Sequence, residues 1–362
     1  MATLKVGLIG CGQIAQLVHL NVLTHLPDVE LVAIAEPDEQ RRREGKRRTP
    51  SAVAFTSYMD LLEQSTAEAV VVCVPTPLHA EVGIAALEQG KHVYLEKPLA
   101  TSLEEGQQVL AAANYAHRTA MVGFNYRFNA LYQNARRHLR SGRLGELVGV
   151  RSTFTTPART LPIWKQRRDG GGGVLLDLAS HHIDLVHYLF GRDVREVFAR
   201  VWSQHTEDDS AMVELSLDGG LTAQGFFSLG ALDEDTFEIY GDAGKLRVDR
   251  YLSLDAELSE PNSQHRRGAR VWRSVRRWAG PYAMQRILAP GNEPSYRAAL
   301  ARFAQAARSN QPVTPDLLDG YRSLLVVDAA ERSARAGLPV RVGEINTPTV
   351  PVGASHSNGV PA

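Results

Sequence analysis

The sequence predicts an α/β chain in two parts: an N-terminal doubly wound parallel sheet, then a C-terminal α+β domain on a large, mainly antiparallel open sheet. Three observations carry this. In the first part, strand patterns alternate with helix patterns of about 10 to 15 residues, which is how βαβ units read. From residue 125 onward, strand patterns follow one another across short turns. Several of these alternate apolar and polar residues, as a sheet with one wet face does. A chain of 362 residues also exceeds what one hydrophobic core ordinarily supports. The expected divisions are residues 1–124, residues 125–343, and a small, polar, proline-rich tail over 344–362 that should be disordered.

In order, "LKVGLIG" is an apolar strand closed by glycine, and a helix pattern follows over 13–26. "VELVAIAE" is the second strand, and "DEQRRREGKRR" a basic helix after it. "AVAFTS" is a short strand, "SYMDLLEQS" a helix, and "AEAVVVCVP" an apolar strand buried on both faces. "HAEVGIAALEQG" is a helix stopped by glycine, and "KHVYLE" a strand. "SLEEGQQVLAAANYAH" is a helix with Ser102 as N-cap, and "TAMVGF" the last strand of the first part. Beyond it, "LGELVGVRSTFTT", "VREVFARVWSQ", "DDSAMVELSLDG", "LTAQGFFSLG", "DTFEIYGDAG" and "KLRVDR" are strands. Helices are expected over 130–141 and 174–190 and near the C-terminus, and no internal repeat is present.

Composition narrows the function. Lysine plus arginine equals aspartate plus glutamate at 40 each, so no global charge calls for nucleic acid or another polyanion. No apolar run reaches the roughly 18 residues of a membrane span. The chain runs directly into a strand without a signal peptide pattern, and its two cysteines, Cys11 and Cys73, read as buried thiols of a reducing compartment. The expectation is a cytoplasmic protein with no membrane or nucleic-acid partner.

"GLIGCGQIA" places Gly10 and Gly12 at the turn from the first strand into the first helix, with Ala15 as the third small residue. The first glycine permits the tight turn, and the second lets backbone approach a pyrophosphate. The third lets helix and strand pack, with the helix N-terminus, at Gln13 and Ile14, facing the phosphates. This is the Rossmann dinucleotide arrangement; the alternative is a generic βα turn. Glu36 ends the second strand, where a carboxylate accepts from an adenosine ribose and repels a 2′-phosphate. NAD is therefore expected, with NADP as the alternative because arginines begin at Arg41.

Lys97, in "EKPLA", ends a strand at the edge where open α/β sheets bind ligands. Next to a cationic nicotinamide its pKa would fall, which suits a group that shuttles a proton. A surface lysine is the plainer reading. "DLASHHID" puts Asp177 and His181 four residues apart, on one face of a helix, after a glycine run that admits a ligand.

The stretch "VVCVPTPLHAEVGIAALEQGKHVYLEKPLA" resembles the Gfo/Idh/MocA family of oxidoreductases. So do "VGFNYRFNALYQNARRHLRSGRLGELVGVRS", "GGGVLLDLASHHIDLVHYLFG", "FEIYGDAGKLRVD" and the C-terminal helices, together spanning roughly residues 4–343. The resemblance implies that Lys97 lies at the active site beside the nicotinamide, with Glu96 and Pro98 in the same motif. It also implies that Asp177 holds a substrate hydroxyl and His181 is the acid–base group. Pro75, Thr76 and Pro77 would line the cofactor trough, and His79 either reaches that trough or only starts the next helix. Arg127 would anchor substrate or cofactor. Trp164 matches a tryptophan that relatives follow with arginine; Lys165 stands there instead, which puts a bidentate contact in doubt. Ala179 replaces a family glycine and narrows the pocket. His182 is unassigned, and Asp184 matches a family position or braces its helix.

By this resemblance the protein is an NAD(P)-dependent dehydrogenase or reductase. Its substrate would be a sugar, a sugar derivative such as a nucleotide sugar, or a cyclitol such as inositol. No metal is expected, and a dimer or tetramer would form through the open sheet. The competing readings are an NAD-using glycosidase with transient sugar oxidation and a non-catalytic sugar-responsive regulator. Residues 261–286 fit the family poorly: seven arginines and no carboxylate are interleaved with Trp272 and Trp278. They read as a helix over the open sheet or a subunit contact, with phosphate or nucleotide-sugar binding through Arg273, Arg276 or Arg277, or a nucleic-acid or membrane contact, as the alternatives.

Overall fold

Residues 3–260 and 294–344 are described by the structure, a computed structural model. Six parallel strands form the first sheet: β1 (Leu4–Ile9), β2 (Val29–Ala35), β3 (Val53–Phe55), β4 (Ala69–Val72), β5 (His92–Leu95) and β6 (Ala120–Val122). Their order is β3-β2-β1-β4-β5-β6. The strand order therefore reverses beside β1 and β4, where Ile9 pairs with Val72. The C-terminal ends of these strands open the crevice in which such sheets bind ligands. Every residue of β4 and β5 is buried, which explains their unbroken apolar runs.

Helices cover both faces. A π-helical turn, Ala15–His19, leads into α1 (Leu20–His25). Next come α2 (Glu39–Arg48), capped by Asp38 accepting from Arg41 N at 2.8 Å, and α3 (Tyr58–Gln64). Then come α4 (His79–Glu88) and α5 (Leu103–Ala116), where Ser102 caps as the sequence predicts, accepting from Glu105 N at 3.2 Å.

The second sheet has eight strands: β7 (Leu147–Thr155), β8 (Val194–Trp202), β9 (Ser210–Leu217), β10 (Thr222–Ser228), β11 (Glu234–Gly241), β12 (Lys245–Asp249), β13 (Glu257–Ser259) and β14 (Val340–Arg341). Their order is β13-β12-β11-β7-β10-β9-β8-β14. All neighbours are antiparallel except the central pair β7 and β10. Helices α6 (Ala130–Arg140) and α7 (Ser180–Phe190) belong to this part, and a second π-helical turn, Leu175–Ala179, leads into α7. The other face of the sheet carries exposed Val148 and Met212, and Trp202 stacked on Phe226.

The chain then returns to the first sheet. Helix α8 (Pro294–Arg308) buries Ala299, Leu300 and Phe303 in one cluster with Leu4, Val6, Leu8 and Tyr94. Phe303 meets Tyr94 edge-on, ring centroids 5.8 Å apart. Helix α9 (Leu317–Ala336), with a capping box of Asp316 and Asp319, packs against α5, α7 and β8 and so ties the two sheets together. Helix α8, which sequence assigns to the second domain, thus covers the first. The arginine- and tryptophan-rich residues 261–286 and the tail from 345 lie outside the described residues. Among the described residues no helix is long and apolar enough to cross a membrane.

Candidate active site

The glycine turn is built as its residue types require. Gly10 has φ +91°, and a Cβ there would sit 2.7 Å from the Cys73 carbonyl oxygen. Only glycine lets β1 pass the end of β4. A Cβ on Gly12 would meet no described atom within 4 Å. That clearance, with exposed Gln13 and half-buried Ile14 at the helix start, is the room a pyrophosphate needs. Glu36 is buried, and its carboxylate accepts from Cys11 N at 2.8 Å and Asp38 N at 3.1 Å. Arg41 lies 3.3 Å from the same carboxylate. The acidic residue is thus locked onto the glycine turn, and the chain's own groups fit a dinucleotide there.

At the end of β5, Lys97 Nζ donates to the Asp177 carbonyl oxygen at 2.7 Å and to its carboxylate Oδ1 at 3.2 Å. Lys165 Nζ donates to both carboxylate oxygens, Oδ1 at 3.0 Å and Oδ2 at 2.9 Å. Burial alone would raise the Asp177 carboxyl; Lys165 and Lys97 outweigh it and hold the group well below the usual carboxylate range. Burial pulls the Lys97 ammonium down from its ordinary value, the Asp177 carboxylate opposes this, and Lys165 reinforces it.

His181, at the start of α7, is buried and stacks on Tyr126, ring centroids 4.4 Å apart and planes at 22°. Its Nδ1 has no hydrogen-bond partner among the described residues. Burial and then the charge of Lys97 push the imidazole well below its ordinary value, so the ring is neutral near pH 7. Beneath it, buried Asp235 accepts from Tyr126 Oη at 2.8 Å, His182 Nε2 at 3.1 Å and Arg250 Nε at 2.6 Å. This gives His182 its place: it anchors the floor on which Tyr126 and His181 stack.

The glycine run that precedes Asp177 packs against both parts of the chain. Gly171, φ +85°, lies against Thr76, Pro77 and Thr101, and Gly170 against the Trp164 carbonyl oxygen. Pro75 is exposed, Thr76 is buried and Trp164 is half-buried beside this run.

Three residues that the sequence places near the cofactor, His79, Glu96 and Arg127, have protein partners in the structure. The ring nitrogens of His79 lie 2.6 Å from the Pro98 carbonyl oxygen and 3.0 Å from that of Val74, so the buried ring braces the turn after Lys97. Glu96 is buried, with Oε1 2.8 Å from His19 Nε2 and Oε2 accepting from Lys97 N at 3.3 Å. Arg127 is bound to Asp184 through Nε at 2.9 Å and Nη2 at 2.6 Å, and to Asp319 through Nη1 at 3.0 Å. Its guanidinium links α7 to α9, pairing Asp184 on one with Asp319 on the other. The Asp177–Lys165 contact, the His19–Glu96 contact and the Asp235 cluster were not read from sequence, because each joins residues with no local pattern between them.

Fold and glycine turn together define an NAD-binding oxidoreductase. The family model described as "Oxidoreductase family, NAD-binding Rossmann fold" matches residues 4–124, and the GFO/IDH/MocA C-terminal domain matches residues 132–247. The chain belongs to the Gfo/Idh/MocA oxidoreductase family. It is 27% identical to myo-inositol 2-dehydrogenase of Thermotoga maritima over 94% of this chain and 99% of that one. It is 28% identical to dTDP-3,4-didehydro-2,6-dideoxy-alpha-D-glucose 3-reductase of Actinomadura kijaniata, covering 92% of this chain and 96% of that one. Among solved structures, levoglucosan dehydrogenase in complex with NADH superposes with a TM-score of 0.84 at 25% identity, covering 94% of this chain and all of that one.

Proposed function

We propose that the protein is an NAD-dependent dehydrogenase or reductase that moves hydride between nicotinamide and a secondary hydroxyl or ketone of a sugar, sugar derivative or cyclitol. The observation that carries the reading is the meeting of Lys97, Asp177 and neutral His181 at the strand ends that also hold the glycine turn. The relatives named for inositol and for a dTDP-sugar support that substrate range. NAD, held at the Gly10–Gly12 turn and beside Glu36, would supply the hydride acceptor for oxidation of the alcohol. His181, already neutral, takes the hydroxyl proton. Lys97 orients the same oxygen and, as the free amine, can pass the hydroxyl proton on to His181, which ends as the imidazolium. Asp177, ionised, keeps Lys97 in place and accepts from a neighbouring substrate hydroxyl. Several polar groups converging on one carbon suit a polyhydroxylated substrate, and orientation supplies much of the rate.

Self-association through the exposed face of the second sheet, around Val148, Met212, Trp202 and Phe226, belongs to the same proposal. Light scattering tests it. For the reaction, the test is NADH formation against inositols, aldoses, amino sugars and nucleotide sugars. Turnover of at least one class is expected. NAD binding with no turnover across the whole panel would overturn the proposal.

A further inference from the structure

We propose that Lys165 is a positioning residue that controls the protonation of Lys97 by holding the carboxylate of Asp177. This deepens the proposed function and rests on its reading of Lys97 as a proton-handling group. Both ammonium groups sit on one oxygen, Asp177 Oδ1, at 3.0 Å for Lys165 and 3.2 Å for Lys97. Only Lys165 also takes Oδ2, at 2.9 Å. One carboxylate is therefore shared between two cations, and Lys165 has the larger share. Of the two, Lys97 is the more enclosed, its side chain 13% exposed against 24% for Lys165. Desolvation and like charge both act hardest on the enclosed amine, so Lys97 is the one that gives up its proton first. Without Lys165 the same carboxylate would pair with Lys97 alone and keep it charged.

The placement of Lys165 is itself constrained. It ends a 3₁₀ turn, Ile163–Lys165, and a Cβ on Gly172 would lie 2.2 Å from its carbonyl oxygen. The glycine run thus lets this turn lie flat against the segment that carries Asp177. The other titratable groups around Lys97 do not supply the effect. Glu96 is tied to His19 and raises Lys97 rather than lowering it. His79 is braced on two carbonyls, and His181 is neutral.

The test is competitive labelling of the full-length protein with acetic anhydride across pH, with Lys97 read by mass spectrometry and Lys5 as internal control. It needs neither substrate nor cofactor. Wild-type Lys97 should titrate below an ordinary lysine. Lys165→Met should move it up by about 1 to 3 pH units, Lys165→Arg should leave it near wild type, and Asp177→Asn should move it down. An ordinary titration for Lys97 in the wild type overturns the proposal. So does an unchanged one in folded Lys165→Met, or, should that variant not fold, an unchanged or raised one in Asp177→Asn. Sugar turnover with no effect of Lys165 on labelling removes this inference alone. The labelling pattern without sugar turnover removes the substrate reading alone.

Discussion

Gly10 and Gly12 stand two residues apart in one turn, and the structure separates what each does. At Gly10 an added methyl meets only backbone: the Cys73 carbonyl oxygen at 2.7 Å, its carbon at 2.8 Å and Val74 N at 2.9 Å. None of these atoms can rotate away. The left-handed φ of +91° adds about 1–2 kcal/mol for any L side chain, and the overpacking adds about 1–3 kcal/mol. Gly10→Ala should therefore lose about 2–5 kcal/mol of stability and lower Tm by roughly 3–7 °C, with or without NAD. At Gly12 a methyl meets no described atom within 4 Å. Gly12→Ala should keep its Tm or gain slightly, about 0.4–1 kcal/mol, because the unfolded chain loses freedom. Its effect should fall on NAD. Blocking one charge-assisted hydrogen bond to a phosphate oxygen removes about 1.5–3 kcal/mol of binding, a loss of roughly 10- to 150-fold in affinity. Thermal unfolding without cofactor and fluorescence titration with NADH read the two effects separately. If Gly12→Ala binds NADH like the wild type, or if Gly10→Ala melts like the wild type, the assignment of these glycines is wrong.

Other outcomes follow from the same geometry. Lys97→Ala and His181→Ala should each lower kcat by roughly 10²–10⁴, with NADH affinity within several-fold by fluorescence titration. Their double mutant should lose less than the product of the two. Because burial keeps His181 neutral, the acid limb of kcat/KM in the oxidation direction should lie below the ~6.5 of free imidazole; a limb above it would assign the base elsewhere. Glu36→Ser should reduce the preference for NAD over NADP by roughly tenfold, the worth of about 1.5 kcal/mol, read as the ratio of kcat/KM values. Arg127→Met leaves the carboxylates of Asp184 and Asp319 without their shared cation. It should destabilise by about 3–5 kcal/mol, measured by thermal unfolding; an unchanged Tm would mean the ion triad does not hold the helices together.

What was legible in the sequence depended on how local the cause was. The first sheet could be read because each strand and helix announces itself within a few residues, and the Gly10–Gly12 turn because its shape is a matter of consecutive φ angles. The spacing of Asp177 and His181 was visible, but not the π-helical turn between Leu175 and Ala179 on which Asp177 sits. The parallel pairing of β7 with β10 was hidden, since alternation of apolar and polar residues is the same in either direction. Partners distant in the chain left no mark at all. His19 meets Glu96 and His182 meets Asp235 through folding alone. A charged residue such as Arg127 reads the same whether it binds a ligand or two carboxylates of its own chain.

The return of α8 to the first sheet has a consequence for how this protein is made. Leu4, Val6, Leu8 and Tyr94 emerge from the ribosome early, yet Ala299, Leu300 and Phe303, which share their cluster, come close to the end of the described chain. The nucleotide-binding half therefore cannot finish its apolar layer until α8 has been made. It waits, partly uncovered, while β7 to β13 of the second sheet are translated. A chain stopped before residue 294 would leave Leu4, Val6, Leu8 and Tyr94 without the α8 side chains that cover them, so a cofactor-binding module cut between the two sheets would expose that apolar surface.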